Sequence, residues 1–232
     1  MRSIIILVGG FGSRLQSVSN GIPKALMPIG DSVYLDLLLD KVFNFELSRV
    51  YLSLHYKPEL FQKYIKKSIH KENLSGVVEP KPLGTGGAIN YVIKNSNVSS
   101  PFFVINGDSL SNIDLTHMVE EFEKYQYKAM VGISKVDNAK RFGTVSVENG
   151  NVISFNEKGI SGCGWINNGH YILTKEVFNE FIGSFSLEKD LFPKLAQNCE
   201  LGAYKVPNDN FIDIGVPEDY AKLCKIMLEV SN

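Results

Sequence analysis

Ser3-Ile4-Ile5-Ile6-Leu7-Val8-Gly9-Gly10-Phe11-Gly12-Ser13-Arg14-Leu15 is an apolar, largely β-branched run that breaks into a glycine turn ending in an arginine. The run from Ile4 to Val8 falls far short of the roughly 20 apolar residues that span a bilayer, and Gly9-Gly10 is not a leader-cleavage site. It reads as a buried strand feeding a loop, the opening step of an α/β sheet. Glycines let backbone N–H groups converge on a phosphate, and Arg14 with the following Pro23-Lys24 adds positive charge. Taken alone, the same turn also fits a tight bend after a strand. A dinucleotide fingerprint would need glycine where Leu15 stands. A P-loop would need Gly-Lys-Ser/Thr, which neither this loop nor the segment Gly84 to Ala88 supplies.

Outward from this stretch, apolar runs alternate with longer amphipathic ones. Strands are expected at 3–8, 49–54, 76–78 and 102–106, and helices at 34–47, 58–68, 87–94 and 116–125. Asp31 or Ser32 is expected to cap the first helix, and Pro58 suits a first helical turn. After Lys128 short strands dominate, at 129–134, 144–147, 152–155 and 165–173, with Asn149-Gly150 as a hairpin signal. Helical pattern returns at 187–197 and 217–230, around a strand near 203–206. The expected fold is α/β, a Rossmann-like three-layer arrangement with a mixed, mainly parallel sheet and a small β-rich lobe. One domain, 1–232, would comprise an alternating α/β part of about 1–127 and a second part of about 128–232 that begins with short strands.

Composition narrows the partners. The chain has 232 residues, 44% of them hydrophobic, and 24 Lys+Arg against 25 Asp+Glu. That balance lacks the basic stripe of a nucleic-acid binder, and no run suits a membrane. Cys163, Cys199 and Cys224 are far apart and odd in number, which argues against a disulfide framework and fits a reducing cytoplasm. The four histidines are scattered without zinc-ligand spacing.

Two aspartates stand at expected strand ends. Asn106-Gly107-Asp108 closes an apolar strand, where ligands bind in open α/β sheets, and a carboxylate there suits a hard cation such as Mg²⁺. Asp108 alone reads equally well as a turn or capping residue. Asp213, in Phe211-Ile212-Asp213-Ile214-Gly215-Val216-Pro217, precedes a helix, and spacing does not show that the two share a metal. Glu79-Pro80-Lys81-Pro82-Leu83-Gly84-Thr85-Gly86-Gly87-Ala88 is flexible enough to press backbone against a flat base, or to start a Gly-rich helix. Ser186 reads first as a helix cap.

The pair Gly9 to Leu15 and Pro23-Lys24 resembles the GGxGxRL…PK signature of the sugar-1-phosphate nucleotidylyltransferases. The resemblance spans essentially the whole chain and is densest before residue 110. It implies that Gly9, Gly10, Gly12, Ser13 and Arg14 hold a triphosphate and that Lys24 neutralises it at the reacting phosphorus. Asp108 is similar to the family's (N/G)GD aspartate and Asp213 to its DxGxP aspartate, together implied as ligands of catalytic Mg²⁺. Glu79, Gly84, Thr85 and Asn106 fall on its nucleotide-binding segments. Arg141-Phe142-Gly143, Asn156-Glu157-Lys158 and Asn167-Asn168-Gly169-His170-Tyr171 resemble its sugar segments, with Phe142 in place of tyrosine. By that match Gly143, Glu157, Lys158 and Asn167 bind the sugar phosphate, and the resemblance implies a nucleotide-binding part of about 1–127 and a sugar-binding part of about 128–232. The implied reaction joins a nucleoside triphosphate to a sugar 1-phosphate and releases pyrophosphate, in the cytoplasm and in sugar-nucleotide supply for cell-surface polysaccharides. Within the family the chain is most similar to the guanylyltransferase branch acting on D-glycero-α-D-manno-heptose 1-phosphate. Mannose, glucose or N-acetylmuramate 1-phosphate is the alternative acceptor, and an inactive sugar-nucleotide-binding regulator the alternative of another class. A homo-oligomer is compatible with the sequence.

This chemistry needs no general base. A phosphate monoester has a second pKa of about 6, so the attacking oxygen is already largely ionised at neutral pH. Two anions must instead be brought together, which calls for cations and alignment. That agrees with the lack of a convincing Ser/His/Asp or Cys/His arrangement. Glu79 favours guanine, because an acceptor-only carboxylate matches the adjacent N1–H and 2-amino donors.

Overall fold

A computed structural model describes residues 2–45, 47–156, 162–206, 209 and 211–230. Its strands are β1 (Arg2–Leu7), β2 (Pro28–Ile29), β3 (Ser32–Val33), β4 (Leu47–Leu54), β5 (Leu74–Val78), β6 (Phe102–Asn106), β7 (Ser109–Leu110), β8 (Ala129–Val136), β9 (Val145–Glu148), β10 (Asn151–Phe155), β11 (Gly164–Leu173), β12 (Leu201–Val206) and β13 (Ile212–Asp213). The α-helices are α1 (Gln16–Ser19), α2 (Tyr34–Phe43), α3 (Pro58–Lys67), α4 (Gly84–Asn95), α5 (Leu115–Tyr125), α6 (Phe192–Gln197) and α7 (Pro217–Val230).

Nine strands form one sheet in the order β5-β4-β1-β6-β11-β8-β12-β10-β9. β11 runs against β6 and β8, β10 runs against β12 and β9, and the other strands share one direction. The alternation of β1 explains the three layers. Ile4 and Ile6 pack on one face with Leu35, Leu38 and Leu39 of α2, Phe61 of α3 and Met118 of α5. Ile5 packs on the other with Ile89 and Val92 of α4 and Leu195 of α6. The strands after residue 128 continue this sheet, with β9 and β10 as its β-rich edge. Asn149 and Gly150, at φ +49° and +83°, make the hairpin turn that the Asn-Gly pair predicts.

The chain turns outward from β1 to β4 on one side and to β6 on the other. This is the switch point at whose strand ends ligands bind in open α/β sheets. Leu7 pairs with Asn106 there, and the Gly107 N–H bonds Leu7 O at 2.9 Å.

Several boundaries differ from the sequence pattern. The first long helix ends at Phe43 rather than 47, because Phe45 N–H turns back to Val42 O at 3.2 Å and Leu47 already begins β4. Neither Asp31 nor Ser32 caps it. Ser32 is held in the β2–β3 ribbon, and the Asp36 carboxylate accepts the Val33 N–H at 2.9 Å. α4 begins at Gly84, three residues before the expected start. The expected helix 187–197 opens with a π turn, Leu187–Leu191, and its cap is as expected: Ser186 Oγ accepts the Lys189 N–H at 3.2 Å.

Candidate active site

The glycine loop leaves β1 at the switch point. A Cβ on Gly9 would stand 3.0 Å from the His55 amide nitrogen, whereas one on Gly10 would meet nothing within 4 Å. Gly9 is thus fixed by packing against the end of β4, while Gly10 leaves open room above the loop. Gly12 has φ +60° and its carbonyl accepts the Leu15 N–H at 2.9 Å, which turns Arg14 back toward the sheet. Ser13 belongs to the 3₁₀ turn Ser13–Leu15.

Two carboxylates meet beside this loop through backbone pairing. β13 lies antiparallel to β7 with Asp213 opposite Ser109, and the Ile214 N–H donates to Asp108 O at 3.0 Å. Residues 105 positions apart are thereby placed on adjoining backbone. Asp213 Oδ1 accepts the Gly215 N–H at 2.7 Å, and a Cβ on Gly215 would lie 3.2 Å from Arg14 Nη2. Glycine at 215 therefore lets the guanidinium approach the Asp213 carboxylate. Lys24 Nζ donates to Asp108 Oδ2 at 2.8 Å. Burial raises the Asp213 pKa above the usual carboxylate value and the charge of Asp108 raises it further, opposed by Lys24, the Gly215 N–H and Arg14. Crowded oxygen donors of this kind suit a hard divalent cation that completes its shell with phosphate oxygens and water. Tyr34 reaches the same place: its fully buried hydroxyl has no partner, and its pKa is pushed up by burial and by Asp108 and Asp213.

Two adjoining clefts share Leu7, Gly10 and Asp108. One, of about 240 Å³, is lined by Gly12, Arg14, Lys24 and Gly215; the other, of about 350 Å³, by Phe11, His55, Glu79, Pro82, Thr85 and Asn106. The first is small and cationic, the second larger and more apolar, as a phosphate limb and a base limb would be. Glu79 is buried in the second, its Oε2 without a partner. Burial raises its pKa, opposed by the charge of His55 and by the Leu83 N–H.

The Gly-rich segment opens α4 and packs against a distant part of the chain. A Cβ on Gly84 would stand 2.6 Å from Phe185 O, one on Gly86 2.2 Å from the Phe185 ring, and one on Gly87 2.6 Å from Gly183 O. These glycines admit the chain's own 183–185 segment, while Gly84 and Thr85 also line the larger cleft. Phe185 O accepts the Gly86 and Gly87 N–H groups at 3.0 and 3.2 Å. The Thr85 hydroxyl is likewise engaged internally, accepting the Leu187 N–H at 2.8 Å and donating to Glu188 at 3.0 Å.

In the segment expected to face the sugar, β11 bulges against β8 between Asn167 and Tyr171. Gly169, at φ +80°, brings the bulge so close that a Cβ would lie 2.8 Å from Asn106 Nδ2. Asn167 Nδ2 donates to the Tyr171 hydroxyl at 2.9 Å and its Oδ1 accepts the Gly169 N–H at 2.9 Å. A Cβ on Gly143 would lie 2.9 Å from Asn156 O, and Arg141 ties this loop to Asp219 of α7 at 2.7 Å. Glu157 and Lys158 lie outside the described residues. His170, in the bulge, is buried, and burial lowers its pKa to about 4, so it stays neutral near neutral pH.

Sequence reasoning missed Tyr34, Ser53 and His55. Ser53 and His55 sit at the C-terminal end of β4, a position that itself marks ligand contact in such sheets. Among the described residues no cluster of three His, Cys, Asp or Glu suits a metal, and no helix is long and apolar enough to cross a membrane.

The nucleotidyl transferase family profile matches residues 3–229. A Campylobacter jejuni protein named D-glycero-alpha-D-manno-heptose 1-phosphate guanylyltransferase is 37% identical over 223 residues, covering 93% of this chain and 96% of that protein. A protein of the same name from Aneurinibacillus thermoaerophilus is 34% identical over 223 residues, covering 95% and 96%. The crystal structure of HddC from Yersinia pseudotuberculosis complexed with GMP-PN is 34% identical and has a TM-score of 0.84, covering 97% of this chain and 99% of that one.

Proposed function

Because the chain belongs to the nucleotidyl transferase family, we propose that it transfers GMP from GTP to D-glycero-α-D-manno-heptose 1-phosphate, giving GDP-heptose and pyrophosphate. The observation that carries this reading is the joined pair of clefts, with Asp108, Lys24 and Arg14 lining one limb, Asp213 on the backbone adjoining it, and the unpartnered Glu79 oxygen in the other. The relatives bearing the heptose name supply the choice of sugar, and the GMP-PN complex of a relative agrees with guanine.

Asp108 and Asp213 would hold Mg²⁺, which neutralises charge on the α-phosphate when bound. Lys24 and Arg14 add fixed positive charge where the anionic nucleophile approaches, so repulsion between the two phosphates is offset without a proton transfer. Glu79 accepts from N1–H and the 2-amino group of guanine, with His55 and Phe11 beside it. Gly143 and Asn167, with Glu157 and Lys158, bind the sugar phosphate.

The test is pyrophosphate release across a panel of triphosphates and sugar 1-phosphates with Mg²⁺ or EDTA. GTP with the heptose phosphate should give the highest kcat/KM, and EDTA should abolish release. Higher kcat/KM with mannose, glucose or N-acetylmuramate 1-phosphate would replace the sugar. No release with any pair would favour a sugar-nucleotide-binding regulator.

A further inference from the structure

Asp209 is a carboxylate outside both clefts, four residues before Asp213, and three donors converge on it. Ser111 Oγ donates at 2.6 Å, the Asn112 N–H at 2.8 Å, and Ser134 Oγ donates as well. Ser111 and Asn112 directly follow β7, the strand that pairs with β13 and adjoins Asp108. Ser134 is fully buried on β8.

The bonds continue toward the sugar segment in one direction. Asn168 Nδ2 only donates and the Asp209 carboxylate only accepts, so each serine hydroxyl between them accepts from one and donates to the other. Asn168 Nδ2 lies 3.0 Å from Ser134 Oγ and 3.4 Å from Ser111 Oγ, and Asn168 itself is fully buried in the β11 bulge beside Asn167. On the other flank, Lys41 Nζ donates to Ser111 O at 3.0 Å and to Asn112 Oδ1 at 3.3 Å. Asp209 is thus the terminal acceptor of a network touching the Asp108 turn, the sheet and the bulge, from the stretch of chain that delivers Asp213. Without it, buried hydroxyls would lose their acceptor, and the network would have reason to rearrange.

We propose that Asp209 is a positioning residue that clamps the approach to Asp213 onto the turn after Asp108 and, through Asn168, holds the sugar-side bulge in register with both carboxylates. This rests on the reading of Asp108 and Asp213 as metal ligands. Its side chain lines neither cleft, so it acts through the backbone that the two aspartates share.

The experiment measures Mn²⁺ affinity of the full-length protein by electron paramagnetic resonance, with a non-hydrolysable GTP analogue present. It compares wild type, Asp209→Ala, Asp209→Asn and, as the control for the metal reading, Asp213→Asn. Removing an outer-shell partner typically costs 10–100-fold in metal affinity or activity, so Asp209→Ala should weaken Mn²⁺ by about 10-fold and lower kcat by about 30-fold. Asp209→Asn keeps the shape and one acceptor oxygen, and should lose about a third as much on a logarithmic scale. Affinity of the GTP analogue in EDTA should be unchanged in both, because Asp209 lines no part of the larger cleft. If Asp213→Asn weakens Mn²⁺ and Asp209→Ala melts earlier yet binds Mn²⁺ and turns over like wild type, the positioning role is overturned and Asp209 is a stability residue. If Asp213→Asn leaves Mn²⁺ affinity intact, the metal reading fails instead. Should Asp209→Ala not fold, Asp209→Asn decides: wild-type Mn²⁺ affinity and kcat in that variant overturn the proposal.

Discussion

Lys24 Nζ lies 2.8 Å from Asp108 Oδ2, joining the phosphate loop to the end of β6. The lysine is largely enclosed, its side chain 14% exposed against 36% for the aspartate, so its charge acts in a medium less screened than water. Under the proposed function such a cation would stabilise developing charge on the transferred phosphate. Lys24→Ala should therefore lower kcat/KM for GTP by about two orders of magnitude. Steady-state kinetics at saturating Mg²⁺ checks this, and a loss below threefold would remove Lys24 from the reacting centre.

Asp108→Asn and Asp213→Asn should each cut turnover at least about a hundredfold, through loss of metal-borne charge stabilisation. Stability should move the other way for Asp213. Its pKa is raised in the folded chain, so folding favours the protonated form. The unfolded chain releases its proton first as pH rises, and the folded state loses relative stability until its own raised pKa is passed. In EDTA at neutral pH, Asp213→Asn should then melt higher than wild type, the gap closing well below the ordinary carboxylate range. Thermal scans of both proteins at several pH values test it; a lower melting temperature for the variant throughout would contradict the burial argument.

His170 gives the opposite slope. Its Nδ1 stands 3.1 Å from Asn168 O, and since a carbonyl only accepts, Nδ1 carries the proton in the neutral ring. With a folded pKa near 4 against the ordinary 6.5 of an exposed imidazole, the unfolded chain binds more protons between those values. Stability from the neutral buried ring is full above pH 6.5 and is lost as pH falls through about 4, a change of about 3 kcal/mol. Urea midpoints from pH 7 to 4 should fall more steeply for wild type than for His170→Gln. Parallel curves would mean that His170 charges without cost.

The glycine loop, both aspartates and most strands are legible because each rests on a local rule: β-branched runs, strand-end position, or glycine before arginine. Helix ends are less so. In Phe43 to Leu47 the apolar residues alternate with Asn44 and Glu46, a pattern that suits both the last helical turn and the start of β4, so the turn of Phe45 N–H to Val42 O that ends the helix is not singled out. Asn149-Gly150 announces its hairpin, but no spacing announces that Asp213 will lie across from Ser109, because a two-residue ribbon has too little pattern to predict pairing. The reason for Gly84, Gly86 and Gly87 is hidden for the same cause: their partner, the segment from Gly183 to Phe185, is about a hundred positions away. Asp209 is an ordinary loop aspartate until its three donors are seen in space.

Base choice gives the last prediction. Glu79 Oε2 is buried without a partner, and an acceptor so placed costs free energy until a donor reaches it. Guanine offers two adjacent donors, N1–H and the 2-amino group, to a carboxylate that only accepts. Adenine would set its N1 acceptor against the same oxygens, and a site built for hydrogen bonding rejects such a mismatch by factors of roughly 10⁴. Uracil and thymine have a single imide donor between carbonyls and meet partial repulsion. His55 lines the same cleft, and a ring N–H there would suit the O6 acceptor beside N1–H. GTP should accordingly be the best triphosphate. Glu79→Gln, whose amide both donates and accepts, should narrow the preference for GTP over UTP and dTTP by at least about tenfold while leaving kcat with GTP within about tenfold. The measurement is kcat/KM for GTP, ATP, UTP and dTTP with one sugar phosphate. A wild-type enzyme that uses ATP, UTP or dTTP better than GTP would overturn the guanine assignment, and a Glu79→Gln variant with unchanged ratios would move base reading to the backbone near Gly10 and Gly84.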